Sequence, residues 1–213
     1  MECLTADDRK DQLLQFVNDI LQSGGVPPIN GVFGSYPDDA DASGAFHVRD
    51  WQMVLNERRF HLEIHAADTP YEDARRAQDQ YRRLLGTIYH EARHAEQIFR
   101  AAQERAGLGA TAPNITSAMT AHADGIVPPS YIVDLAVLQP ITECDETQFQ
   151  AEEWYANLYG VGARHRDAVL TNFRADPTNT LSREHYLQQP EEADAYAVHE
   201  AALGRYRRRA DGD

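Results

Sequence analysis

The spacing of apolar residues predicts a long amphipathic helix in the middle of the chain. Apolar side chains recur there every three or four residues, which places them on one face of a helix. They are Tyr81, Leu84, Leu85, Ile88, Ala92, Ala95, Phe99 and Ala102. Thr69 is a suitable cap before this segment and Gly107 a suitable stop after it. We therefore predict a helix over about 70–106.

Elsewhere the pattern favours shorter helices separated by glycine and proline. Helix-like periodicity and turn residues define further helices at 8–22, 115–123, 130–138, 143–159, 163–173 and 190–208. Pro190 suits the first turn of the last of these helices. Residues 176–180 are expected to form a loop.

One stretch alternates with the period of two that is typical of strands. Residues 46–55 and 60–65 are predicted to form a hairpin that turns near Asn56 to Arg58. The polar face of its second strand carries His61, Glu63 and His65, which we interpret as a solvated face rather than a second metal site. The expected fold class is α+β, mainly helical, with a small hairpin or sheet beside the long helix. We expect a single domain over 1–213, with an N-terminal helix and acidic loop in 1–45 and the core in 46–213.

Composition narrows the classes of function. The formal net charge of -14 over 213 residues argues against nucleic-acid binding, which requires clustered Lys and Arg. No apolar run approaches the roughly 20 residues of a membrane span. The acidic N-terminus lacks the basic and apolar regions of a secretion signal, so we expect a cytoplasmic protein. Cys3 and Cys144 are predicted to be ordinary thiols. Nothing in the sequence indicates the oligomeric state.

The long helix contains the motif His90-Glu91-Ala92-Arg93-His94. Histidines four residues apart lie one above the other on a helix, so both imidazoles can reach one zinc ion at roughly 2.0–2.1 Å. Glu91 lies about 100° further round the helix and is placed to act as the general base toward a water. A pair of solvated histidines is the alternative. Gly86, Gln97 and Ala101 share the histidine face, and the two small residues leave room for a second element to pack over it.

A catalytic zinc site needs a third protein ligand. The metzincin pattern requires a glycine at position 97 and a histidine at position 100, and the chain has Gln97 and Arg100 instead. A di-iron bundle requires a second Glu-x-x-His, and no other histidine of the chain has a glutamate three residues before it. The remaining common choice is a carboxylate from a downstream helix. Glu191, Glu192 and Asp194 are all candidates from the residues alone.

The last helix, Pro190-Glu191-Glu192-Ala193-Asp194-Ala195-Tyr196, resembles the helix that follows the His-Glu-x-x-His motif in gluzincin metallopeptidases. This resemblance implies that Zn²⁺ is the cofactor and that Glu192 is its third ligand. Glu191, which leads an apolar stripe along the helix, and Asp194 remain as alternatives. Tyr196 and His199 follow Glu192 at helical spacing, where they could orient a ligand or stabilise an oxyanion.

Together with the segment from Trp154 to Gly160, these motifs look like small bacterial metallopeptidase domains carried by toxins or injection systems. The resemblance covers about half the chain. It implies a zincin-like fold, hydrolysis of peptide bonds in a peptide or protein substrate, and delivery by a dedicated secretion system. It also implies that an edge strand at 59–65 aligns the substrate. The rival hypothesis is a non-catalytic helical binding or structural module whose metal site is vestigial or absent.

Overall fold

The computed structural model describes residues 5–35, 42–60, 70–122, 127–142 and 146–211. The described helices are α1 (Ala6–Ser23), α2 (Glu57–Phe60), α3 (Pro70–Gly107), α4 (Ala112–His122), α5 (Ser130–Leu138), α6 (Glu146–Leu158), α7 (Ala163–Ala175), α8 (Thr180–Leu187) and α9 (Pro190–Asp211). The strands are β1 (Asn30–Gly34), β2 (Gly44–His47) and β3 (Gln52–Asn56). This confirms the mainly helical α+β class with a small sheet.

The three strands form one sheet in the order β1-β3-β2. β3 is central, parallel to β1 and antiparallel to β2. A short helical turn, Val48–Asp50, links β2 to β3 and is followed by Trp51, whose φ is +50°. The indole of Trp51 is 1% exposed, so its burial offsets the cost of this left-handed backbone.

The predicted hairpin was wrong in its boundaries. The stretch 46–55 is not one strand, because the chain reverses direction at Trp51 and forms the β2–β3 hairpin within it. The expected turn and the start of the second strand form α2 instead. Among the described strands, β1 and β2 pair with the two edges of β3. Residues 61–65 lie outside the described part of the chain, as do Thr69, Cys3 and Cys144.

The predicted helices are confirmed to within a few residues wherever the chain is described. The periodic apolar face of α3 is buried from Leu84 to Ala102, which explains why its pattern was readable from the sequence. Besides α2, the helix α8 was not predicted; it begins at Thr180, the last residue of the expected 176–180 loop, and is capped by the Asn179 side chain. No helix in the described ranges is long and apolar enough to cross a membrane.

The chain divides into two compact units. The first comprises Met1–His47, Gln52–Arg93 and Ala197–Asp213, and the second comprises Val48–Trp51 and His94–Tyr196. Two helices cross the boundary between the units along the chain. α3 begins in the first unit and ends in the second, whereas α9 begins in the second and ends in the first.

In the first unit, α1 packs on β1 and the sheet packs on α3. The Asn18 amide on α1 makes two 2.9 Å hydrogen bonds to the backbone of Ile29, the residue before β1. The Thr87 side chain on α3 lies against Gly44 at the start of β2. The sheet therefore lies beside the part of α3 that immediately precedes His90.

In the second unit, α4 packs with α5, α6 with α7, and α7 with α8. The Phe173 and Tyr186 rings stack with centroids 4.4 Å apart. Gln103 on α3 donates a hydrogen bond of 2.6 Å to the Gln139 carbonyl, and its own carbonyl accepts one of 3.2 Å from the Ile141 amide. These bonds hold the segment after α5 against the end of α3.

Candidate metal centre

The histidines of the motif and one carboxylate of the terminal helix converge. α3 carries His90 and His94 one turn apart, and the first turn of α9 carries Glu192. One ligand atom from each of the three lies within 4.8 Å of the other two. The His94 Nε2 atom is 3.7 Å from Glu192 Oε1, and the Glu192 side chain is only 6% exposed. The structure thus brings together two imidazoles and one buried carboxylate.

Glu191 has a different set of partners from its neighbour Glu192. Its side chain is 2% exposed and accepts a 2.5 Å hydrogen bond from the Nε of Arg166, whose side chain is 10% exposed. Asn157 donates a second, short hydrogen bond to the same carboxylate. These bonds to α6 and α7 set the rotation of α9 about its axis, and the next residue, Glu192, is the one grouped with the histidines.

Gln97 connects the histidine helix to the first turn of α9. Its side chain is fully buried, and its amide nitrogen donates to the Glu191 carbonyl oxygen at 2.9 Å and to Asp194 Oδ2 at 2.7 Å. Both partners are acceptors, so the orientation of the amide group is set by its contacts. The Gln97 oxygen therefore faces His94 Nδ1, which lies 2.9 Å away.

This contact determines the tautomer of His94. An amide oxygen accepts hydrogen bonds only, so His94 Nδ1 must carry the hydrogen. In the neutral ring the lone pair then resides on Nε2, the nitrogen nearest to Glu192. Metal-ligating histidines characteristically donate their other ring nitrogen to an oxygen in this way. Asp194, a candidate ligand from the sequence, is instead hydrogen-bonded to Gln97.

His199 packs against His90. The two rings are perpendicular, with centroids 6.4 Å apart. The absence of a side chain at Gly86 permits this packing, because a Cβ there would overlap the His199 ring. Burial, assisted by the neighbouring His90, holds the pKa of His199 below its ordinary value, although the Glu200 carboxylate and a hydrogen bond to the Gly86 backbone oppose the shift. His199 is therefore a mainly neutral imidazole at neutral pH.

The other residues that the sequence pointed to differ in how deeply they are buried. Glu91 is 7% exposed, next to His90 on α3. Tyr196 is 39% exposed, one turn after Glu192 on α9. In the Trp154 to Gly160 segment, Trp154 and Tyr159 are core residues, 4% and 1% exposed, and burial raises the pKa of the Tyr159 phenol. That segment contributes to the centre through Asn157, which holds Glu191.

Sequence reasoning placed Gln97 on the histidine face but did not identify its contacts. The available signal was its position three residues after His94, which puts the two side chains side by side on a helix. Arg166 and Asn157 had no comparable local signal, because they lie 25 and 34 residues from Glu191.

Searches with this chain against protein-family models, curated proteins and solved structures find no match.

The donor set fits zinc. Two imidazoles and a carboxylate make up the His2Glu set of catalytic zinc sites, and His94 holds the required tautomer. Donors around a tetrahedral zinc at about 2.0–2.1 Å stand roughly 3.3 Å apart, so the 3.7 Å between His94 Nε2 and Glu192 Oε1 is close to that spacing. All three ligand atoms lie within 4.8 Å of one another.

Proposed function

We propose that this protein is a zinc-dependent metallopeptidase that hydrolyses peptide bonds. The observation that carries the proposal is the convergence of His90, His94 and Glu192, with His94 oriented by Gln97 for coordination through Nε2. These three residues would hold Zn²⁺. When bound, zinc supplies Lewis-acid chemistry, which acidifies a water and polarises a carbonyl group.

In this proposal the protein's own residues move the proton and orient the ligands. Glu91, beside His90 and shielded from solvent, accepts the proton of the attacking water and returns it to the leaving amine. Gln97 and Asp194 hold the His94 ring in its ligating orientation. A neutral imidazole has a single N–H, and His199 already bonds to the Gly86 backbone. We therefore assign Tyr196, rather than His199, to stabilising the developing oxyanion.

The proposal is tested by the metal content and activity of protein purified without an affinity tag. We expect about one zinc per chain, hydrolysis of peptides from a mixed library, and loss of that hydrolysis with a chelator. Added zinc should restore the activity. A chain that takes up no zinc at micromolar concentrations would be the non-catalytic module instead.

Removal of either motif histidine should abolish retention of the metal. His90→Ala and His94→Ala each leave two ligands, which hold zinc weakly. His165→Ala is the matched control, because His165 is exposed on α7 and away from the cluster. Zinc content after dialysis is the measurement. Wild-type zinc content in either motif variant would place the site elsewhere.

Gln97→Leu should weaken zinc binding about 10–100-fold without removing a ligand, since outer hydrogen-bond partners of metal ligands have effects of this size. Gln103→Leu is the control, because Gln103 is also buried on α3 and bonds a backbone carbonyl. Both variants should lower the melting temperature, but only Gln97→Leu should change the zinc affinity measured by chelator competition. Equal zinc affinities in the two variants would remove the positioning role of Gln97.

A further inference from the structure

The first unit contains a pocket of about 320 Å³. This volume is at the lower end of the range of small-molecule sites, about 300–1,000 Å³. Most of its lining side chains are polar or charged, and they include Arg82, Arg83, Ser43, Thr87 and His199. Two guanidinium groups, two hydroxyls and an imidazole make this lining rich in hydrogen-bond donors.

The charge of the pocket is opposite to that of the chain, whose formal net charge is -14. The lining holds two arginines and one carboxylate, Asp79, which is 54% exposed and 3.8 Å from Arg82. Such a long and exposed ion pair neutralises little charge. The Arg82 side chain is 29% exposed, so it lies at the surface of the pocket rather than beneath it. An anionic acceptor would complete the coordination of this guanidinium.

The pocket adjoins His90 within the same unit. Thr87, 7% exposed in the pocket wall, precedes His90 by three residues on α3. His199 both lines the pocket and packs edge-on against the His90 ring. At 1.5 Å of rise per residue, Arg83 lies about 10 Å along the helix from His90. An extended peptide covers that distance in about three residues.

We infer that this pocket binds a carboxylate of the peptide substrate, held by Arg82 and Arg83, within about three residues of the cleaved bond. The inference rests on the proposed peptidase function, because it is that function which makes a peptide the ligand. The carboxylate can belong to an acidic side chain or to the C-terminus of the substrate. In the first case the protein selects acidic sequences, and in the second it trims or cleaves near chain ends.

Binding should be measured on the full chain freed of metal by a chelator, so that a carboxylate cannot bind a metal ion instead. The probes are N-acetyl-glutamate amide for the side chain, N-acetyl-alanine for the C-terminus, and N-acetyl-glutamine amide as the neutral control. Amide chemical shifts of the labelled protein report the affinity. We expect at least one acid to bind tenfold more tightly than the neutral control.

Arg82→Gln and Arg83→Gln should each weaken binding of that acid at least about tenfold. Arg76→Gln, which removes the same charge from an exposed position on α3 outside the pocket, should leave binding within twofold of wild type. Preference for the glutamate probe identifies an acidic side chain, and preference for N-acetyl-alanine identifies a chain end. Equal binding of all three probes, or equal loss in Arg76→Gln, overturns the inference.

This experiment is independent of the metal. If the pocket binds neither acid but the chain takes up zinc, the carboxylate subsite is wrong while the peptidase proposal stands. If the acids bind as expected and no zinc is taken up, the pocket is a real anion site and the peptidase proposal fails.

Discussion

Glu192→Ala is expected to lower the zinc affinity of this protein by more than about 100-fold, whereas Glu191→Ala should change it only a few-fold. Glu192 is grouped with the two histidines, and loss of a direct ligand should exceed the 10–100-fold effect of losing an outer partner. Glu191 is bound instead to Arg166 and Asn157. Competition with a chromophoric chelator measures both affinities.

The same two variants should differ in the opposite sense in their free energy of unfolding: Glu191→Ala should destabilise the protein more than Glu192→Ala does. Removing Glu191 leaves the guanidinium of Arg166 buried without its counter-charge, and breaking a buried pair in this way costs about 3–5 kcal/mol. Glu192→Ala should have a smaller effect on unfolding of the metal-free protein, because the His94 nitrogen lies 3.7 Å from the Glu192 carboxylate, farther than the 2.5 Å between Arg166 and Glu191. Urea unfolding of the metal-free variants measures the difference.

The two measurements together test the rotation of α9. If Glu191→Ala loses zinc and stays stable while Glu192→Ala keeps zinc, the helix is rotated by one residue from the arrangement described above. If neither substitution affects zinc binding, the carboxylate ligand and the gluzincin resemblance both fail.

Glu91→Gln is expected to reduce peptide hydrolysis by about 10²–10⁴-fold while zinc binding stays near that of wild type. The amide has nearly the shape of the carboxylate but cannot accept a proton from water. Because Glu91 lies beside the ligands rather than among them, the metal should be retained. The measurement is kcat/KM on a peptide that the wild-type protein cleaves, with the zinc content determined on the same sample.

Glu96→Gln is the matched control for Glu91→Gln. Glu96 lies on the same helix and its carboxylate is 3.8 Å from Arg100. It follows His94 by two residues, so it projects from nearly the opposite side of the helix, and the substitution removes the same charge from there. It should leave kcat/KM within a few-fold of wild type. Full activity of Glu91→Gln, or an equal loss in both variants, would remove the general-base assignment.

The sequence alone determined the helix α3 and the juxtaposition of His90 and His94, because both depend on the local periodicity of the helix. It also narrowed the candidates for a third ligand to three acidic residues at the start of α9. The boundaries of the sheet could not be predicted in the same way. The parallel strand β1 and the reversal at Trp51 depend on pairing with β3 and on burial of the indole, which are non-local interactions.

The tertiary structure alone decided which acidic side chain joins the histidines. Residues 191, 192 and 194 lie within one turn of α9, so helical periodicity leaves the rotation of that helix undetermined. Arg166, Asn157 and Gln97 set it through hydrogen bonds that span between 25 and 97 residues of the chain. Gln97 also determines the tautomer of His94, because its buried amide must satisfy every hydrogen bond it can make.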